Sequence, residues 1–271
     1  MPEPRTFAPA GAVRGLAYRL LWRLAESLHS AANACLYLAA GLMRRADLEV
    51  AAGLLWQEFF TAEDEVDFGL DRWERRVYTE LLRPSDRVLL IGSGTGRDLL
   101  GLRELGYDVT GLEPVPELVE YTRQHLARRG VAAMVLPGSA QTADLGGRYD
   151  AIVFSPGVYS YLPGSAERVA TLKRLGEHLT PDGRLMISYL RFVPQSPLSR
   201  WVTRLSTRLA RADWRPEPGD IFSRDRVASR ALRYEHVFLP GEVAGECAAA
   251  GLRVLHDRLE SQPFRCAVAV R

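Results

Sequence analysis

Arg87-Val88-Leu89-Leu90-Ile91-Gly92-Ser93-Gly94-Thr95-Gly96-Arg97-Asp98-Leu99 changes character twice within a few residues. The first five residues are a β-prone apolar run, short enough for a buried strand. Three alternating glycines follow. They let the backbone turn through positive φ and let another group approach where a Cβ would clash. Leu99, Leu100, Leu102 and Leu105 then recur at helical spacing until Gly106 stops them. The stretch reads as strand, tight turn, helix.

The same alternation continues downstream. Strands are expected at 109–112, 133–136, 151–154 and 185–189, with helices at 118–129 and 169–179 between them. Pro181-Asp182-Gly183 marks the turn into the fifth strand. Residues 191–234 interrupt the pattern with prolines at 194, 197, 216 and 218, many arginines, and one amphipathic helix marked by Trp201, Leu205 and Leu209. A helix at 242–250 and strands at 252–256 and 264–270 complete the chain. Strands and helices in this order give an α/β fold: a seven-stranded, mostly parallel, doubly wound sheet with helices on both faces. Upstream, residues 12–55 read as helix, with Val13, Leu16, Leu20, Leu24 and Leu28 as an apolar row. A further helix is expected from Leu70 to Leu82, ended by Pro84. The division is a helical N-terminal cap (1–83) and a sheet domain (84–271) carrying a cap insertion (191–234).

Composition narrows the partners. The chain has 271 residues, 47% hydrophobic and 25% charged, with a formal net charge of +2, so no polyanionic partner follows from charge alone. Lys173 is the only lysine, and the arginine excess is spread over the whole chain as a coding bias would spread it. Cys35, Cys247 and Cys266 are far apart and odd in number. They suggest neither disulfides nor a zinc site, but buried thiols in a reducing cytoplasm. The first ten residues show no secretory pattern, and the longest uncharged apolar stretch, 31–43, is too short to cross a bilayer.

Glu113 ends the second strand, 21 residues after Gly92. A carboxylate there can accept both hydrogen bonds of a ribose diol. The glycine spacing is Gly-x-Gly-x-Gly, not the Gly-x-Gly-x-x-Gly that suits a dinucleotide pyrophosphate. With Glu113 in register, the loop is similar to that of class I S-adenosylmethionine-dependent methyltransferases, whose ligand carries no phosphate. Gly138-Ser139-Ala140 resembles the family's adenine-contacting turn, Tyr149 to Phe154 its fourth strand, and Leu179 to Leu185 its turn into the fifth. The resemblance covers 86–190 and 235–271. It implies S-adenosylmethionine as cofactor, held by Gly92, Ser93, Gly94, Thr95, Gly96, Asp98, Glu113, Pro114, Ser139, Ala140, Gln141 and Ser155. Two positions depart from the family. Leu90 stands where many members carry an acid, and Asp98 is the candidate to replace it. Ser139 or Gln141 stands where many place an acid beside adenine.

Methyl transfer from a sulfonium needs alignment and exclusion of water, and a general base only for some nucleophiles. The loop after the fourth strand, Ser155-Pro156-Gly157-Val158-Tyr159-Ser160-Tyr161, lacks the Asn/Asp-Pro-Pro-Tyr sequence used on planar nitrogens. Tyr159 and Tyr161 are candidate substrate-orienting residues, and His236 is the candidate base because an unperturbed histidine titrates near neutrality. His29, His125, His178 and His256 show no metal spacing, and no metal is expected. The resemblance thus implies methyl transfer to a small-molecule oxygen, nitrogen or carbon nucleophile. Two alternatives are an RNA (tRNA) methyltransferase, for which Arg200, Arg204, Arg208 and Arg211 provide a basic row, and a non-catalytic adenosyl-ligand-binding partner subunit. The helix at 12–43 is either a lid or a peripheral membrane element. Neither the acceptor nor the oligomeric state is encoded legibly.

Overall fold

The computed structural model describes residues 12–48, 50–51, 69–194, 197–224 and 232–271. A long helix, α1 (Ala12–Leu42), is followed by α2 (Arg72–Leu81), β1 (Arg87–Ile91), α3 (Arg97–Glu104), β2 (Asp108–Glu113), α4 (Pro116–Arg128) and β3 (Met134–Pro137). Then come β4 (Tyr149–Phe154), a 3-10 turn (Val158–Tyr161), α5 (Ser165–Glu177), β5 (Leu179–Leu190), α6 (Pro197–Leu209), β6 (Asp220–Arg224) and β7 (Leu232–His236). The chain closes with α7 (Glu242–Ala249), β8 (Arg253–Ser261) and β9 (Phe264–Val270).

Seven strands form one sheet in the order β3-β2-β1-β4-β5-β9-β8. β1 to β5 are parallel, and β9 lies antiparallel between β5 and β8. β1 occupies the centre, paired to β2 and β4 on its two sides. Its side chains alternate between two cores. Leu89 and Ile91 join Leu172, Leu175, Val243 and Cys247 on the α5–α7 face. Val88 and Leu90 join Val77, Leu99 and Val119 on the α2–α3–α4 face. A strand covered on both sides must be apolar throughout, which is why 88–91 carries no polar residue. Strand order reverses at β1, where neighbouring connections leave in opposite directions and open a crevice at the carboxyl edge.

The fifth strand starts earlier than 185. Leu179 pairs with Tyr149 and Arg184 with Ala151, so 180–183 bulge out of register. The Pro181-Asp182-Gly183 signal is real, but it makes an excursion within a strand and does not precede one. Helix α2 runs as expected and is anchored by the Asp71 amide, which donates to Glu74 Oε2 at 2.6 Å.

The two stretches expected to form a cap pack against each other. α1 packs on α6, and Tyr37, Ala40, Leu48, Val202, Phe222 and Tyr234 form a third apolar cluster with the β6–β7 ribbon. The helices approach closely at Gly41, where an added Cβ would lie 1.7 Å from Ser206 Oγ. α1 is unbroken over 31 residues and ends before Arg44-Arg45, and residues 45–48 and 50–51 are again helical. Leu54 and Trp56, expected to extend it, lie outside the described residues. The sequence finds α6 but inverts its faces. Trp201, Leu205 and Leu209 are exposed, and Val202, Thr203, Ser206 and Thr207 are buried. Small polar residues make the inner face because their hydroxyls bond back to the helix's own carbonyls, as Thr207 does to Thr203 O at 3.0 Å. Cys35 is exposed, in contrast to the expected burial, whereas Cys247 and Cys266 are buried as expected.

Candidate functional site

The glycine loop sits at the carboxyl edge of β1, over the point where β1 separates from β4. The Gly92 and Ser93 amides both donate to Leu112 O, at 2.8 and 3.1 Å, which binds the start of the loop to β2. Gly94 has φ +54 and Gly96 φ +91, both in the left-handed region. They differ in what surrounds them. A Cβ on Gly96 would meet Thr122 Cγ2 at 2.6 Å, whereas one on Gly94 would meet nothing within 4 Å. Gly96 is glycine because α4 presses on it. Gly94 borders open space.

Glu113 braces this turn from β2. Its side chain is buried, with Oε2 accepting the Gly94 amide at 2.8 Å and Oε1 accepting the Val115 amide at 3.0 Å. Burial raises its pKa, and the two amide bonds pull against that rise. Two of a carboxylate's four acceptor sites are thereby used and two are left for a diol. Thr122, on α4, completes the brace by donating its hydroxyl to Gly94 O at 2.7 Å. Nothing in the sequence marks Thr122 beyond a polar residue at the buried face of a predicted helix.

Two hydroxyls at the crevice have no partner among the described residues. Ser93 Oγ, after β1, and Ser155 Oγ, after β4, are buried and unbonded. Such groups cost free energy unless a ligand or water satisfies them. β1 and β4 run side by side up to the Ile91–Phe154 pair, so both serines flank the same opening. The third wall follows β3. The Gly138 amide donates to Glu113 O at 2.9 Å, and Ser139 Oγ lies 3.0 Å from Thr142 Oγ1. Ala140 is buried, Gln141 half-buried and Pro114 exposed. Arg174 of α5 donates to Ala140 O at 2.7 Å and to Ala143 O, fixing a turn that looks flexible in sequence.

Asp98 lies inside α3's first turn, but buried and paired. Arg97 reaches Asp98 Oδ1 at 2.5 Å and Glu74 Oε1 at 2.6 Å. Burial, then the nearby Asp98 charge, pushes the Glu74 carboxyl up to about 7. Thus α2 contributes a carboxylate to the loop's exit, a contact between residues 23 positions apart that pattern reading does not reveal.

The three residues proposed for chemistry fall near a second cluster. Tyr159 is fully buried, stacks on Phe238 with centroids 5.2 Å apart, and donates to Glu246 Oε2 at 2.6 Å. Glu246 is held by Arg168, itself fully buried, which also bridges Glu217 and Glu242. His236 lies in β7 with Nδ1 2.8 Å from Asp220 and Nε2 2.9 Å from Glu242. Burial lowers its pKa, but the bonds to Asp220 and Glu242 outweigh that and raise it overall. An imidazolium donating both N–H groups to carboxylates has no lone pair with which to take a proton. Both ring nitrogens of His236, the sequence candidate for a base, thus face carboxylates within this network. Tyr161 is half-buried, donates to Glu235 Oε1 at 3.2 Å and accepts from Arg233 at 3.2 Å. Glu217, His236 and Glu242 bring ligand atoms within 4.8 Å of one another. Because Arg168 bridges both glutamates, its guanidinium already supplies the positive charge there, and a divalent ion would meet it at close range.

Comparison with known proteins agrees with this geometry. Residues 89–185, which span β1 to β5, match the family model described as a methyltransferase domain. The chain is 29% identical over 136 residues to a demethylmenaquinone methyltransferase of Beutenbergia cavernae, covering 49% of this chain and 54% of that protein. It is 26% identical over 180 residues to a ubiquinone biosynthesis O-methyltransferase of Azorhizobium caulinodans, covering 64% and 62%. The chain thus spans under two thirds of the length of either relative. Its fold is shared with a solved methyltransferase of Methanosarcina mazei, at a TM-score of 0.59 and 19% identity over 74% of this chain and 97% of that one. Among the described residues, no helix is long and apolar enough to cross a membrane.

Proposed function

We infer, from the match of residues 89–185 to a methyltransferase domain and the geometry of the glycine loop, that the chain is a class I S-adenosylmethionine-dependent methyltransferase and transfers a methyl group from that cofactor to a small-molecule acceptor. The observation that carries the reading is the pair of unsatisfied serine hydroxyls beside Gly94 and Glu113. Three features converge there: backbone that a ligand can approach, two acceptor sites for a diol, and two hydroxyls without partners among the described residues. The residues fit the cofactor's adenosyl end. Glu113 would take the ribose hydroxyls, Ser139, Ala140 and Gln141 the adenine, Pro114 the edge of the sugar, and Ser155 the side facing the acceptor. Gly92 to Gly96 would line the ligand, with Asp98 and Arg97 ordering the loop's exit. When bound, the cofactor supplies a sulfonium that is at once methyl donor and leaving group.

The chain's own part is orientation and exclusion of water. Phe154, Tyr159 and Phe238 form an aromatic wall after β4, with Tyr159 held by Glu246. We assign His236 and Tyr159 to positioning this wall and Tyr161 to the acceptor side. The names of the quinone-pathway relatives favour a small-molecule acceptor, as does a post-β4 loop without Asn/Asp-Pro-Pro-Tyr.

Calorimetry with S-adenosylhomocysteine tests the cofactor site, and transfer of labelled methyl into a cell extract tests the acceptor class. We expect binding heat from wild type and label in the small-molecule fraction. Absence of heat overturns the whole reading. Label confined to RNA or protein overturns the acceptor class alone.

A further inference from the structure

The cap carries an outer face that takes no part in the candidate site. On α1, Arg19 to Ala32 are exposed on every side of the helix. Leu16, Leu20, Leu24 and Leu28 are each more than half exposed, and Leu38 and Leu42 continue the row. At about 100° per residue these six fall within an arc of roughly 120°, on the side away from Tyr37 and Ala40, which pack inward. On α6 the exposed apolar row is Leu198, Trp201, Leu205 and Leu209. Arg200, Arg204 and Arg208 form a second row directly beside it, also exposed.

Charge identifies what such a face meets. Residues 12–42 and 197–211 together hold seven arginines and a single acid, Glu26. Apolar rows flanked by arginines, with a tryptophan at the border, suit the plane between lipid headgroups and acyl chains. The arginines favour anionic headgroups. A two-fold contact with a second copy would set each arginine row against a like-charged surface. A nucleic acid would satisfy the arginines and leave the leucines in water. α1 is too polar to cross a bilayer, so it would lie along one.

We propose that the outer face of α1 and α6 docks on an anionic phospholipid bilayer, with Trp201 and the exposed leucines entering the interface and the arginines at phosphate level. The face lies at the carboxyl end of the sheet, since α6 follows β5 and Arg45 donates to Pro163 O in the segment after β4, at 2.5 Å. The proposal does not depend on methyl transfer.

Flotation of the full chain with phosphatidylcholine vesicles, with and without about a quarter phosphatidylglycerol, tests it at about 0.1 M salt. The expected result is flotation with the anionic vesicles and partitioning at least tenfold weaker on neutral ones. R200Q/R204Q/R208Q and W201S/L205S should each lower partitioning at least tenfold while keeping the helical circular dichroism. Should either variant misfold, quenching of wild-type tryptophan emission by brominated acyl chains reads the same insertion without a substitution. Three outcomes overturn the proposal: no flotation with anionic vesicles and no quenching; flotation indifferent to both folded variants; or, without flotation, a dimer in light scattering or saturable poly-uridylate binding that these variants abolish.

Discussion

The Glu113 carboxylate accepts the Gly94 amide across 2.8 Å, joining the end of β2 to the middle of the glycine loop. Its other oxygen accepts from Val115, so one buried side chain ties together two of the three turns around the crevice. Glu113 therefore shapes the loop, and under the proposed function it also offers acceptors to a ribose.

These two roles separate by substitution. Glu113→Gln keeps one acceptor oxygen and replaces the other with a donor that clashes with an amide. Glu113→Ala leaves the Gly94 and Val115 amides unpaired and removes every ribose acceptor. Hydrogen bonds to a charged group contribute about 1.5–3 kcal/mol each. Calorimetry should show affinity for S-adenosylhomocysteine reduced at least tenfold in Glu113→Ala. Unchanged affinity would show that the ligand does not touch Glu113.

Gly94 and Gly96 should respond differently to one added methyl. Each would place alanine at positive φ, at a cost of about 1–2 kcal/mol. Only Gly96→Ala also drives a Cβ into Thr122, at 2.6 Å, so its melting temperature should fall further. Gly94→Ala meets nothing in the protein and should remain folded, but the methyl enters the space a ligand would use, so binding should fall well beyond the stability change. Thermal melts with and without S-adenosylhomocysteine distinguish the two variants.

Much of this was legible beforehand because it is encoded locally. The strand–glycine–helix stretch, the acid closing β2 and the apolar alternation of the parallel strands each follow from neighbours within a few positions. The contacts that fix the site did not show, because they join residues far apart: Glu74 to Arg97, Thr122 to Gly94, Arg174 to Ala140 and Tyr159 to Glu246. His236 illustrates the difference. Its residue type suggested a base, and only the fold brings Asp220 and Glu242 against its two ring nitrogens. The inverted faces of α6 have a similar origin. Apolar periodicity gives a helix but not its orientation, and here small hydroxylated residues fit against Gly41 where leucine would not.

Glu74 makes stability depend on pH. Its folded pKa, about 7, lies above the ordinary carboxylate value, so the folded state holds this proton more tightly than the unfolded chain. Stability from this group is full below about 4.5 and declines as pH rises towards 7. Glu74→Gln mimics the protonated form and keeps an acceptor for Arg97. Denaturant melts across this window should show a wild-type slope flattened in the variant, with a difference on the order of 2 kcal/mol at its upper end. Parallel curves would place the titration elsewhere.

His236 should add a second, higher window. Its pKa is raised in the fold by Asp220 and Glu242 against the opposing effect of burial. The protonated ring's stabilising contribution is complete below the unfolded value near 6.5 and disappears as pH climbs through the raised folded value. His236→Asn should therefore be less stable than wild type at pH 6 and approach it at higher pH. Arg168→Met provides the contrast. Arginine does not titrate in this range, and its loss strands Glu217, Glu242 and Glu246 without their shared cation. Breaking a buried pair by removing one partner costs about 3–5 kcal/mol, which for a chain of this size lowers the melting temperature by on the order of 10 °C. That loss should persist above the raised folded value of His236, whereas the His236→Asn deficit should fade there. Were the two variants to share one pH dependence, the histidine would not be titrating within this network.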